Sequence, residues 1–231
     1  MKNSRLLRKI YLEHHDLDSI KDAVAEAEKS TNGEIAVAVI PQSDSYSFVE
    51  FFAAMCLAFA SFFILLYFAD GIWHLLERTL WYPAPKTLAA VIGAGVCLIT
   101  IVFFGLVNIP AFDRLIIPAR IKKERVYARA LRHFVECGIY NTAERTGILI
   151  FVSILERQVL VLTDSGITEK VSPATWEGVC GTITDGIKLK KTAQGICRAV
   201  EQCGGILAEH FPKTAGNPNE YPDGLVILPK P

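Results

Sequence analysis

The chain has 231 residues, room for one ordinary domain with something added. Its formal charge balances at zero, which removes the global electrostatic argument for a nucleic-acid partner, and its six cysteines include no C-x-x-C pair to suggest a zinc or redox motif. Hydrophobic residues make up 51%, more than a soluble protein usually carries and less than a polytopic one, so the excess must be local.

The opening MKNSRLLRKIYLEHHD has no apolar core of the kind a signal peptide needs, and it reads as a flexible lead that includes His14 and His15. Asp18-Ser19-Ile20-Lys21-Asp22 carries an N-cap signal, with Ser19 followed three residues later by an acid. Ile20, Val24 and Ala27 then share one helical face, and Asn32-Gly33 tolerates the left-handed geometry of a helix stop. EIAVAVI, 34–40, is a strand of small and β-branched apolar residues, buried on both faces.

Two long uncharged runs follow. FFAAMCLAFASFFILLYFA spans 51–69 and TLAAVIGAGVCLITIVFFGLVNIPAF spans 87–112. A bilayer core of about 30 Å needs roughly 20 apolar helical residues. Buried core helices are the alternative, but those usually carry a polar stripe that these runs lack. The spans are therefore placed at about 48–69 and 87–110, with Gly93 and Gly95 allowing them to approach closely. Trp73, Trp81 and Tyr82 in the joining segment suit an interface, and GIWHLLE suits a helix lying flat on the membrane. Basic residues are sparse in that segment, Arg78 and Lys86, and dense on both outer flanks, which orients both termini to the cytoplasm of a multi-pass inner-membrane protein.

After the second run, Pro118 suits the first turn of a long helix reaching Cys137 and ending at Gly138. Its expected apolar stripe is Tyr127, Ala130, Leu131, Phe134 and Val135, with Arg125, Arg129 and Arg132 on the other face. GILIFVSILERQVLVLTD reads as a hairpin with strands 147–154 and 158–163 and a turn at Glu156-Arg157. Helices follow at about 173–189 and 192–211, the second capped by Thr192 and striped by Ile196, Ala199, Val200, Cys203, Ile206 and Leu207. The proline-rich tail packs irregularly, with LVIL as an edge strand. Neither soluble part has enough strands for a sheet of its own. Residues 1–47 and 113–231 thus form one discontinuous cytoplasmic α/β sandwich, a small sheet flanked by helices, into which 48–112 is inserted as a transmembrane hairpin.

TNGEIAVAVI, GIYNTAERTGILIFVSILERQVLVLTDSGI and LKKTAQGICRAVEQCGGILAEHFP together resemble the TPM domain family, and the two inserted spans resemble its bacterial membrane branch. The resemblance implies an α/β sandwich, and for some members phosphatase activity and divalent-ion binding. In those members Asp-Asn-Gly opens the strand that begins here at Gly147, where this chain has Arg145-Thr146-Gly147. The glycine matches, and so do Asp164, Gly166 and Gly195, but a carboxylate has become a cation, which weakens any site for Ca²⁺ or Mg²⁺.

The residues alone offer Glu144, Asp164 and Asp185 as weak metal candidates, while D-S-G makes an Asx turn the first reading of Asp164. His133 and Glu136 stand at metal-ligand spacing on a helix face crowded with arginine. No cofactor motif appears. The basic run after the second span, with Arg120, Lys122, Lys123 and Arg125, faces anionic lipid headgroups in this reading. The expectation is a membrane-anchored binding or assembly module whose partner is another protein or a second copy. The alternative, carried by the resemblance, is a membrane-anchored and metal-dependent phosphatase.

Overall fold

The computed structural model describes residues 2–82, 84–107, 114–142, 144–214 and 224–230. The chain divides into two compact units, Met1–Asp44 with Arg120–Pro231, and Ser45–Ala119.

The first unit is built on a sheet in the order β3-β2-β1-β4. β1 (Glu34–Ile40) and β2 (Gly147–Ser153) pair parallel along their whole length, from Glu34 opposite Gly147 to Ile40 opposite Ser153. Every residue of both is buried, as continuous apolar runs require of central strands. β3 (Gln158–Thr163) returns antiparallel on β2 and forms one edge, half-buried throughout. β4 (Leu225–Ile227) adds parallel to β1 at the other edge.

Alternation along the strands divides the core in two. Ile35, Val37, Val39, Ile148, Ile150 and Val152 face the helices α2 (His14–Glu28), α8 (Pro173–Lys188) and α9 (Thr192–His210). Ala36, Ala38, Ile40, Leu149 and Phe151 face α6 (Ala119–Glu136). The crossover from β1 to β2 therefore runs over one face through α6, and the return from β3 to β4 runs over the other through α8 and α9. Between β3 and α8 lies a single helical turn, α7 (Ser165–Thr168).

Several local expectations are corrected. The opening segment is not a lead. It forms α1 (Lys2–Lys9), and Leu6, Leu7, Ile10 and Leu12 are buried. α2 begins at His14 rather than at Ile20, because Glu13 and Asp16 make a reciprocal capping box, with the Glu13 N–H donating to Asp16 Oδ2 at 2.7 Å. Thr192 does not cap α9. Lys191 holds that position, and the Thr192 hydroxyl donates to the carbonyl of Ile10, tying α1 to α9. The tail's LVI does form an edge strand, while its proline-rich approach at 215–223 lies outside the described residues.

The buried face of α6 is also rotated from the expected stripe. Val126, Ala130, His133 and Phe134 are buried, whereas Tyr127, Leu131 and Val135 are exposed. Arg125, Arg129 and Arg132 stand along the margin of that buried face. Gly138 ends the segment in the left-handed region at φ 77°, where glycine is favoured.

The second unit holds α3 (Ser47–Tyr67), α4 (Ala69–Thr79) and α5 (Pro85–Val107). α3 and α5 are long and apolar enough to cross a membrane, and only 11% and 6% of their apolar stretches is buried. They pack on each other at Gly95, where a Cβ would stand 3.0 Å from Leu65 Cδ1, while Gly93 has open space around it. α4 is the amphipathic helix expected of GIWHLLE. The expected end of the second span, 108–110, lies outside the described residues.

The register of α6 is testable. Phe134→Ala should cost about 3–5 kcal/mol and Leu131→Ala less than about 1 kcal/mol, measured by unfolding of the detergent-solubilised chain. Equal losses would return Leu131 to the core.

Candidate functional site: a basic groove at the carboxyl edge of the sheet

β1, β2 and β4 run parallel, so their carboxyl ends lie at one edge, where open α/β sheets place their ligands. The loop leaving β1 is held there by buried polar groups. Ser43 N–H donates to Glu156 Oε1 at 2.9 Å, and Ser43 Oγ lies 2.7 Å from Ser153 Oγ. Ser153 Oγ in turn donates to Glu156 Oε2. Glu156 belongs to the β2–β3 turn, so one carboxylate joins the end of β1 to the end of β2.

Beside this lock is a groove of about 420 Å³ lined by Ser43 and Asp44 after β1, Pro229 and Lys230 after β4, and Arg125, Arg129, Arg132 and Glu136 of α6. The spacing of the arginines, four and then three residues apart, puts all of them on one side of the helix. Arg125 pairs with Asp44 at 2.9 Å. Arg129 is held more deeply, with its side chain 15% exposed and Nη1 3.5 Å from Glu136 Oε2. Its Nε is buried and has no hydrogen-bond partner among the described residues.

His133 follows on the buried side of α6, with Nε2 buried and likewise unpartnered among the described residues. Burial lowers its pKa below the usual histidine value, the Arg129 charge lowers it further, and Glu136 acts in the opposite sense.

The opposite edge holds two of the three residues that the sequence marked for a metal, Glu144 and Asp164. Glu144 and Arg145 are exposed, and Glu144 Oε1 accepts from Asn32 Nδ2 at 3.3 Å. Arg145 sits in the left-handed region at φ 54°. Thr146 is fully buried, with its hydroxyl donating to the Asn32 carbonyl at 3.3 Å. Asp164 caps α7, its Oδ1 accepting from Ser165 N–H at 2.6 Å, while its Oδ2 is buried without a partner among the described residues. The acceptor reaches the very next residue rather than the one two positions on, so Asp164 caps the helical turn without forming the Asx turn that the D-S-G triplet suggested. Gly147 and Gly166 are required by space. A Cβ at Gly147 would lie 2.1 Å from the Ile139 carbonyl oxygen, and one at Gly166 would lie 2.6 Å from that of Glu144.

Asp185 is elsewhere, on α8, paired with Lys188 at 3.0 Å on the surface. Among the described residues, no three His, Cys, Asp or Glu side chains gather where a metal ion could be held. Among the described residues, one orphaned carboxylate oxygen with an exposed Glu144 nearby falls short of the six to eight oxygens that Ca²⁺ takes.

The four basic residues singled out in sequence are also separated. Arg120 makes a surface pair with Glu124 at 2.9 Å. Lys122 lines neither this groove nor the larger one, of about 670 Å³, that Lys123 lines beside edge strand β3 with Tyr127 and Trp176. Only Arg125 lines the basic groove. Sequence periodicity showed Arg125, Arg129 and Arg132 together, but nothing in it indicated that Asp44 and Lys230, at the ends of two distant strands, would meet them.

Residues 114–206 match the family model described as TPM domain, the family that the resemblance pointed to. The match covers less than half of the chain and begins after the apolar helices, leaving out β1 and β4, which complete the same sheet, and α2, which packs on it. Among solved structures, the NMR structure of BA42 protein from the psychrophilic bacterium Bizionia argentinensis is similar at 18% identity and a TM-score of 0.54, covering 94% of this chain and 95% of that one. At that identity the likeness concerns the fold. No curated protein matches.

Gly147→Ala should destabilise by about 3 kcal/mol or more through overpacking, while Gly178→Ala on α8, with open space around it, should be neutral or stabilising by up to about 1 kcal/mol. Unfolding temperatures of both variants would decide this. A second expectation concerns pH. Because the folded state holds His133 below its unfolded value of 6.5, the unfolded chain takes up this proton first as pH falls. Stability should therefore drop as pH goes below about 6.5, and His133→Phe should flatten that part of a melting-temperature profile. An unchanged profile would show that His133 gains a proton as readily folded as unfolded.

Proposed function

We propose that this chain is a membrane-anchored binding module, in which α3 and α5 span the bilayer and the TPM-type α/β unit offers the basic groove at its carboxyl edge to a partner or ligand. The observation that carries this reading is the exposure of two long apolar helices, which a soluble fold would bury. The basic flanks of the two spans support an inner-membrane protein with both termini in the cytoplasm. The groove supports binding because its cations converge from α6 and from the tail of β4 onto one concave surface.

The second reading is the metal-dependent phosphatase associated with TPM domains. It draws on the buried, unpartnered Oδ2 of Asp164 and has to accommodate Arg145 in the neighbouring loop. Metal-dependent hydrolysis of a simple phosphate ester that disappears in Asp164→Ala would favour it.

Anchorage is tested on the full chain in native membranes. The protein should remain in the pellet after alkaline carbonate washing. In a cysteine-free background, Tyr82→Cys, 90% exposed, should react with a membrane-impermeant maleimide in intact cells, and Lys9→Cys should react only after lysis. Release by carbonate would reject the spans, and the reverse labelling pattern would reject the orientation.

A further inference from the structure

The basic groove of the first unit carries more cation than its own carboxylates balance. Its lining includes Arg125, Arg129, Arg132 and Lys230 against Asp44 and Glu136. Arg125 is committed to Asp44. Arg129 is not fully committed. Its contact to Glu136 at 3.5 Å is longer than a good charge-assisted hydrogen bond, and its buried Nε–H has no acceptor among the described residues. Arg132 and Lys230 are exposed and make no ion pair among the described residues. A mostly buried guanidinium with an unmet donor is costly, and an oxyanion within reach of its fork would relieve it.

The surroundings narrow the ligand. A cavity of about 420 Å³ is at the small end of the range for bound small molecules, roughly 300–1,000 Å³. The excess of positive charge suits a group with more than one negative charge and several acceptor oxygens, which describes a phosphate better than a single carboxylate. The place suits it as well. β1 and β4 are adjacent and parallel, and the connections serving them cross opposite faces of the sheet, which is where a crevice opens between neighbouring carboxyl ends.

We infer that this groove binds the phosphate group of a small anionic ligand, with the Arg129 guanidinium as its central contact and Arg132 and Lys230 closing the rim. The phosphate comes either from a soluble phosphate compound or from a lipid headgroup, and the side chains present the same chemistry to both. The inference rests on the binding-module reading but not on anchorage: a chain released by carbonate would fail the anchorage and still bind phosphate.

The test uses the full chain purified in a phosphate-free detergent, with pyrophosphate titrated by calorimetry. Wild type should bind, and Arg129→Gln and Arg132→Gln should each weaken binding about tenfold or more, the scale of one lost hydrogen bond to an ion. Arg120→Gln, which removes a cation of the same helix paired to Glu124 outside the groove, should change affinity by less than about twofold. Arg132 is exposed, so its variant leaves the fold intact even where Arg129→Gln does not. For the lipid source, the chain is reconstituted in phosphatidylcholine with phosphatidylglycerol at roughly four to one and released for native mass spectrometry. Phosphatidylglycerol retained by wild type and lost in Arg132→Gln identifies the headgroup, and pyrophosphate binding without retained lipid identifies a soluble ligand. Neither probe binding to wild type, or equal binding by wild type and Arg132→Gln, overturns the inference.

Discussion

The parallel pairing of β1 with β2 is the constraint on which the rest of the first unit depends. Seven residues on each strand are buried on both faces, and they meet although one begins at residue 34 and the other at 147. Without that ladder, β2 and β3 form an isolated hairpin, β4 has nothing to pair with, and the helices have no surface to cover. The ladder can hold because loop-closure entropy grows only with the logarithm of loop length, so the apolar hairpin in the connection adds little to what the crossover already costs. Fully buried backbone with every ladder position filled offsets that cost.

This arrangement gives the two edges of the sheet different characters. At the amino edge, space is scarce. The Gly147 Cα lies against the Ile139 carbonyl, Thr146 is buried in a hydrogen bond to Asn32, and Asn32 also holds Glu144 and Thr214. These polar groups close the fold, while the buried Oδ2 of Asp164 at the same edge has no partner among the described residues. At the carboxyl edge, Glu156 and two serines fix the loop after β1, and the arginines of α6 stand beside it with donors to spare. The cavity beside the amino end of β1, lined by Glu28, Thr31 and Glu34, is about 230 Å³, and the groove at the carboxyl edge is about 420 Å³.

Sequence reading reached the architecture because its strongest signals were long. IAVAVI and GILIFV are short apolar runs rich in β-branched residues, as central strands are, and the two uncharged stretches exceed what a core helix needs. It missed where signals were short or reciprocal. α1 has only two buried leucines in its eight residues, too few for a periodic pattern, and its fixing contact comes from Thr192 on the far end of the chain. In α6, Val126 and Tyr127 are adjacent and both apolar, so either could begin the stripe. The facing sheet selected Val126, whose smaller side chain packs against the second core cluster with Ala130, and left Tyr127 outside. Of the site, the run of arginines was legible because it lies on one helix. The partners from β1 and β4 were not, because parallel pairing alone brings them to the same place.

That rotation of α6 also explains why the groove exists. Had the buried face centred on Leu131, the margin occupied by Arg125, Arg129 and Arg132 would have turned toward solvent, where lysine and arginine side chains simply extend into water. With Val126, Ala130, His133 and Phe134 inward, Arg129 is held at the boundary between core and surface, and His133 is drawn behind it into the interior, where burial and the neighbouring guanidinium lower its pKa. A charged histidine at that position would add to the unmet positive charge around Arg129, so the lowered pKa of the histidine and the charge of the arginine are parts of one arrangement. One helix thereby closes the second core, sets the electrostatics of the groove, and spans the crossover that brings β2 back to β1.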